Sequence, residues 1–227
     1  LKAPGKTHFT LAAAARVIAG NSYVADYARR YNRRTEVIPT VVDTDAFTPA
    51  PRANATPVLG WIGTHSSLQY LRAIVPALQA LARRRPFVLR VVGARLDAPG
   101  VAVENVTWQQ AREVQDFQSL DIGLYPLVED PWSLGKSGFK AVQYMACAVP
   151  VVASPVGVTC DMIRDGDNGF LARSHDEWVA HLTALLDDAG LRQRLGAAGR
   201  ADAVARWSLT TYAPRFVELV RATMETP

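Results

Sequence analysis

Cysteine is nearly missing from this chain: Cys147 and Cys160 are the only two in 227 residues. One falls in a helical stretch and one in a loop, so they suggest neither a disulfide framework nor a zinc site. Reduced thiols of a cytoplasmic protein are expected. The four histidines, His8, His65, His175 and His181, have no spacing to each other or to carboxylates that proposes a metal site. No apolar run reaches the ~18 residues that a membrane-spanning helix needs. The longest, 149–158, contains Pro150 and Pro155. Residues 11–15 are too short for the core of a signal peptide and run into Arg16. Also absent are a G-x-S-x-G nucleophile turn, the G-x-x-x-x-G-K-[ST] loop of nucleoside triphosphatases and the G-x-G-x-x-G of dinucleotide binders. Lys+Arg 25 against Asp+Glu 21 gives a net charge of only +4. The arginines are scattered over helical surfaces and not interleaved with aromatics, which speaks against a nucleic-acid partner. The first residue is Leu1, with no Met, so the chain is expected to be a piece of a longer protein.

What is present is ordinary globular material, 49% hydrophobic and 20% charged, in a chain long enough for a sizeable core. Residues 1–15 read as a polar turn followed by an alanine-rich segment. Residues 16–20 (RVIAG) read as a strand, Asn21-Ser22 as the cap of a helix over 23–31, and 35–39 as a second strand. That unit has too few strands to stand alone, so 1–39 is expected to end an upstream domain. Residues 40–57 are proline-rich and suit an extended connector. From 58 onward strands and helices alternate. Strands are expected at 58–62, 87–92, 101–106, 122–125, 149–153 and 169–171. Ser66 or Ser67 should cap a long amphipathic helix through Arg84, with further helices over 112–118, 139–148, 176–187, 191–206 and 209–224. This order predicts an α/β domain over 58–206 with a mostly parallel sheet flanked by helices, then a C-terminal helix within 207–227.

Ligands of open parallel sheets bind beyond the carboxyl ends of the strands. Three loops meet that condition. Gly63-Thr64-His65-Ser66-Ser67 offers a flexible glycine, hydroxyls and free helical N–H groups, either an anion site or only a capped helix. In the second, residues 127–140, Val128 to Trp132 form a loop able to reach across a cleft. Lys136 and Lys140 then stand at a helix start, where the helix dipole opposes positive charge unless an anion sits between them. The third, 154–159, provides Gly157, where backbone can approach a ligand, and Thr159 or Asp161 as a helix cap. His65 is open to a catalytic or a plain hydrogen-bonding role. Trp108 and Trp132 lie near the expected cleft.

Several ordered motifs then resemble one family. They are Gln143-Tyr144-Met145-Ala146, Pro150-Val151-Val152-Ala153, Gly157 and Asp165-Gly166-Asp167-Asn168-Gly169-Phe170-Leu171, preceded by Pro39-Thr40-Val41-Val42-Asp43, Phe47 and Pro49. From about Arg16 onward the chain resembles the C-terminal, nucleotide-sugar-binding half of the family-four, GT-B-fold retaining glycosyltransferases. The family's signature has two glutamates with seven residues between them; here Gly135 stands in the first place and Gln143 in the second. The chain is similar to a branch with a Gly-Lys-x-Gly-x-Lys turn and Gln-Tyr-Met-Ala.

The resemblance implies a Rossmann-like sheet forming half of a two-domain architecture, with 1–39 ending the other Rossmann-like domain. It implies that Lys136 and Lys140 neutralise the diphosphate leaving group as the catalytic pair. Donor binding would fall to Gly63, Thr64, His65, Ser66, Trp108, Gln143, Gly157, Val158 and Thr159, with Gln143 on the ribose. The donor would be a UDP-, GDP- or ADP-sugar, transferred with retention in bacterial carbohydrate biosynthesis, with no metal or further cofactor. The acceptor would bind the N-terminal domain that this chain mostly lacks, so the fragment alone should bind donor weakly and transfer little. Membrane association at the inner face would also belong to that missing domain. Rival readings are a nucleotide-sugar epimerase of the same architecture and a non-catalytic sugar-nucleotide-binding domain. A dinucleotide oxidoreductase is disfavoured by the first loop.

Overall fold

In the computed structural model, which describes residues 4–225, the chain forms a small N-terminal unit and a six-stranded α/β domain. The N-terminal unit comprises α1 (Pro4–Ala13), β1 (Val17–Ala19), α2 (Ser22–Arg29) and β2 (Thr35–Val37), with β1 and β2 parallel. Helix α1 replaces the expected polar turn; Leu1 to Ala3 lie outside the described residues. Asn21 caps α2 by accepting from Val24 N at 2.8 Å.

The large domain contains β3 (Val58–Ile62), β4 (Val88–Val92), β5 (Ala102–Val106), β6 (Ile122–Tyr125), β7 (Val151–Ala153) and β8 (Phe170–Leu171), all parallel in the order β5-β4-β3-β6-β7-β8. The central strand β3 is buried along its whole length. Alternation divides its side chains between two cores. Leu59 and Trp61 join Val91, Leu124 and Val152 against α3 (Leu68–Ala73), α4 (Val75–Ala82) and α9 (His175–Asp187). Val58 and Ile62 join Val151 and Ala153 against α5 (Glu113–Gln118), α7 (Phe139–Ala146), α8 (Thr159–Met162) and α10 (Ala189–Trp207). A sheet covered on both faces needs apolar residues at consecutive positions, which is why its strands read as unbroken hydrophobic runs.

Three expectations fail for local reasons. The long helix from Ser66 or Ser67 to Arg84 is instead a 3₁₀ turn, His65–Ser67, followed by α3 and α4, with a break at Ile74. Pro76 has no N–H to donate to the preceding turn and its ring crowds the carbonyl there. The reach of Val128 to Trp132 is interrupted by a one-turn helix, α6 (Pro131–Leu134), started by Pro131 and capped by Asp130, whose carboxylate accepts from Ser133 N at 2.6 Å. Strand β7 also starts at Val151, because Ala148 takes a left-handed backbone (φ 52°) and Val149 bonds back to Tyr144 O.

The connector is pinned along the domain: Val42 N donates to Trp207 O, and Arg200 donates to Thr44 O and Phe47 O. The final helix α11 (Leu209–Met224) returns to the N-terminal unit, where Arg16 donates to Thr223 and Arg215 pairs with Glu36 at 3.6 Å. In the 165–169 turn, buried Asn168 donates to Met162 O and to Asp202, so this motif ties β8 to α8 and α10.

Candidate functional site

From β3 the chain proceeds to β4 and β5 on one side, while β6, β7 and β8 lie on the other. The crevice between the carboxyl ends of β3 and β6 is therefore the switch point where such sheets bind ligands. A cleft of about 460 Å³ occupies it. One wall is the loop after β3, with Gly63, Thr64, Ser66 and Ser67. The other is 135–140 with Trp132, and Tyr125 to Leu127 lie between.

The first wall is internally bonded. Thr64 N donates to Ser67 Oγ at 3.1 Å, Ser67 Oγ donates to Thr64 O at 3.0 Å, and the Thr64 and Ser66 hydroxyls lie 2.9 Å apart. His65 opens the 3₁₀ turn, is exposed and is not among the residues lining the cleft. The second wall carries the lysines, which differ. The Lys136 ammonium lies 4.0 Å from the centre of the Tyr70 ring. Burial lowers its pKa below the ordinary lysine value, against a weaker opposing pull from Asp130. No carboxylate pairs with it among the described residues. Lys140 does have a carboxylate: its Nζ is 3.1 Å from Glu113 Oε1. The same oxygen accepts from Gln143 Nε2 at 3.3 Å. Gln143 is fully buried within α7, and its Oε1 has no hydrogen-bond partner.

The third loop does not open on this cleft; it backs the lysine turn. Gly138 begins α7 in a left-handed conformation (φ 71°), and a Cβ there would lie 2.7 Å from Met162 Sδ and 3.0 Å from a Val158 methyl. Gly157 has φ 58°, and a Cβ there would meet Leu134 Cα at 3.3 Å. Its bare backbone thus admits the neighbouring turn. Thr159 is buried and does not cap α8 from its start. Its hydroxyl donates to Ser154 O at 2.6 Å and accepts from Val156 N at 2.9 Å, fixing the loop after β7. Trp108 lies apart from the lysines, half-exposed in a second hollow beyond β4 and β5 that also contains Gly93 and Arg95. That hollow adjoins the first wall, since Gly63 N donates to Val92 O at 3.0 Å and Gly93 lies against Gly63 O.

The sequence reading missed Glu113, Tyr70 and the second role of Asn21, whose amide nitrogen reaches Leu134 O and Lys136 O. Only the Asn-Ser pair carried a local signal, and it pointed to a helix cap alone.

Several known proteins resemble this chain in sequence or in fold. Residues 56–188 match the family model described as glycosyl transferases group 1. A D-inositol 3-phosphate glycosyltransferase from Stackebrandtia nassauensis is 31% identical over 223 residues, covering 82% of this chain and 49% of that protein. The chain spans about half the length of the curated relatives it matches. Among solved structures, sucrose-phosphate synthase from Thermosynechococcus elongatus superposes with a TM-score of 0.77 at 20% identity, over 97% of this chain and 61% of the other. HepE of Anabaena, solved in complex with UDP-glucose, superposes with a TM-score of 0.75 at 18% identity, over 92% and 64%. These likenesses are to the GT-B glycosyltransferase fold, in which the Rossmann-like parallel sheet described above recurs. The chain belongs to the glycosyl transferases group 1 family.

Proposed function

We propose that the cleft between β3 and β6 binds the diphosphate of a nucleotide sugar, and that the protein of which this chain is part transfers the sugar with retention of configuration. The observation that carries this reading is the convergence of Lys136, a cation without a carboxylate partner among the described residues, with the loop after β3 at the switch point of the sheet. The structure of HepE with UDP-glucose supports the choice of ligand class. The base would lie toward the hollow at Trp108, next to the first wall.

In the reaction, the bond between the anomeric carbon and the diphosphate oxygen breaks, a new bond forms to an acceptor hydroxyl oxygen on the same face of the sugar, and the proton of that hydroxyl passes to the departing diphosphate. The leaving nucleoside diphosphate gains negative charge as the bond breaks. Lys136, placed beforehand in a partly desolvated wall, interacts more strongly with that developing charge than with the intact donor, which is the condition for catalysis. A preorganised group of this kind is worth about 3 kcal/mol. Lys140 contributes a weaker field because Glu113 offsets its charge, and buried Gln143 helps hold that carboxylate in place by donating to it. Acceptor binding falls to the remainder of the protein, so this chain alone binds donor and transfers little.

Calorimetric titration of the 227-residue chain with UDP, GDP and ADP, each against its parent nucleoside, tests the reading. One diphosphate should bind with its nucleoside far weaker. A folded chain that binds none of the three, or binds nucleoside and diphosphate equally, contradicts it.

A further inference from the structure

We propose that Asn21 is a positioning residue for the cleft: an amide in the N-terminal unit that sets the conformation of the lysine turn in the large domain. The inference rests on the diphosphate reading above. Asn21 is 6% exposed, and its side chain makes three of the four hydrogen bonds an amide of this kind can form, both donors among them. Oδ1 accepts from Val24 N at 2.8 Å and caps α2, while Nδ2 donates to Leu134 O at 3.2 Å and Lys136 O at 2.9 Å. Capping alone needs only an acceptor, which serine or aspartate supplies as well. The two donated bonds are what asparagine adds. Their targets flank Gly135, and Leu134 is the last residue of α6, whose carbonyl has no partner within its own helix. Leu134 also lies against the bare backbone of Gly157. The lysine turn is thus clasped between the N-terminal unit and the loop after β7, and Lys136 cannot take another backbone position without breaking the bond from Asn21. Any shift of the N-terminal unit against the large domain is thereby felt at the cation of the cleft.

The test is Asn21→Asp, which retains a capping oxygen but removes both donors. Backbone amide exchange and affinity for UDP, GDP and ADP are measured on the same protein. Exchange over 133–138 should accelerate about tenfold while 22–29 stays as protected as in the original chain, and diphosphate affinity should fall about tenfold, the size expected for two lost hydrogen bonds. Unchanged exchange at 133–138 overturns the proposal, as does faster exchange with unchanged affinity. Faster exchange in a chain that binds no diphosphate, before or after substitution, supports the clasp and overturns the diphosphate reading instead. Asn21→Ser, which caps through a hydroxyl and adds no charge, covers the case in which the introduced carboxylate unfolds the N-terminal unit. The same acceleration is expected in it, and its absence there overturns the proposal.

Discussion

Lys136 and Lys140 stand four positions apart on one wall of one cleft, yet their surroundings give them different work. Lys136 lies over the Tyr70 ring in a partly buried position that lowers its pKa, with no carboxylate in ion-pair contact among the described residues and only a weaker pull from Asp130. Lys140 lies between the Phe117 and Phe139 rings with its ammonium bonded to Glu113. On the proposed reading, an incoming diphosphate would complete the first environment and compete with a partner in the second. Residue type and spacing treat the two lysines alike; a carboxylate from α5 separates them.

The largest test of this contrast is Lys136→Ala, which should reduce diphosphate affinity about a hundredfold, the size seen when a preorganised charge-stabilising donor is lost, with little change in thermal unfolding. Next, Gly157→Ala disturbs only the support behind Lys136. A residue with a Cβ is strained at φ 58° and would crowd Leu134, so unfolding free energy should drop by about 1–2 kcal/mol, read by denaturant titration. Lys140→Ala should cost only about fivefold in affinity by calorimetry. Adding Glu113→Gln should recover most of it, because the single variant leaves a carboxylate without its cation near the anion.

The smallest effect concerns pH. Burial favours neutral Lys136 and a bound diphosphate favours the charged form, so affinity is full while Lys136 is protonated in the free protein. It falls a few fold as pH rises through the lowered value. Titration of whichever of the three diphosphates binds, across the alkaline range, should show this decline in the original chain, and Lys136→Arg, which stays charged, should flatten it.

Much of the scaffold was legible from residue order alone. Val58–Ile62, Ile122–Tyr125 and Leu209–Met224 form the expected elements because buried strands and amphipathic helices announce themselves by local period. The break at Ile74 had a local sign too, Pro76, outweighed by the apolar pattern around it. Other features had none. Glu113 meets Lys140 across 27 positions and Asn21 meets Lys136 across 115, and contacts set by the tertiary path leave no periodicity in the chain. The orientation of 154–159 was hidden for the same reason: Gly157 marks a close approach, but only the fold shows that Leu134 makes it.

The most direct measurement of the central claim is a side-by-side calorimetric comparison of Lys136→Ala and Lys140→Ala with whichever of UDP, GDP and ADP the original chain binds. A loss at Lys136 at least tenfold greater than the loss at Lys140 is the predicted result. Equal losses, or a greater loss at Lys140, would contradict the account.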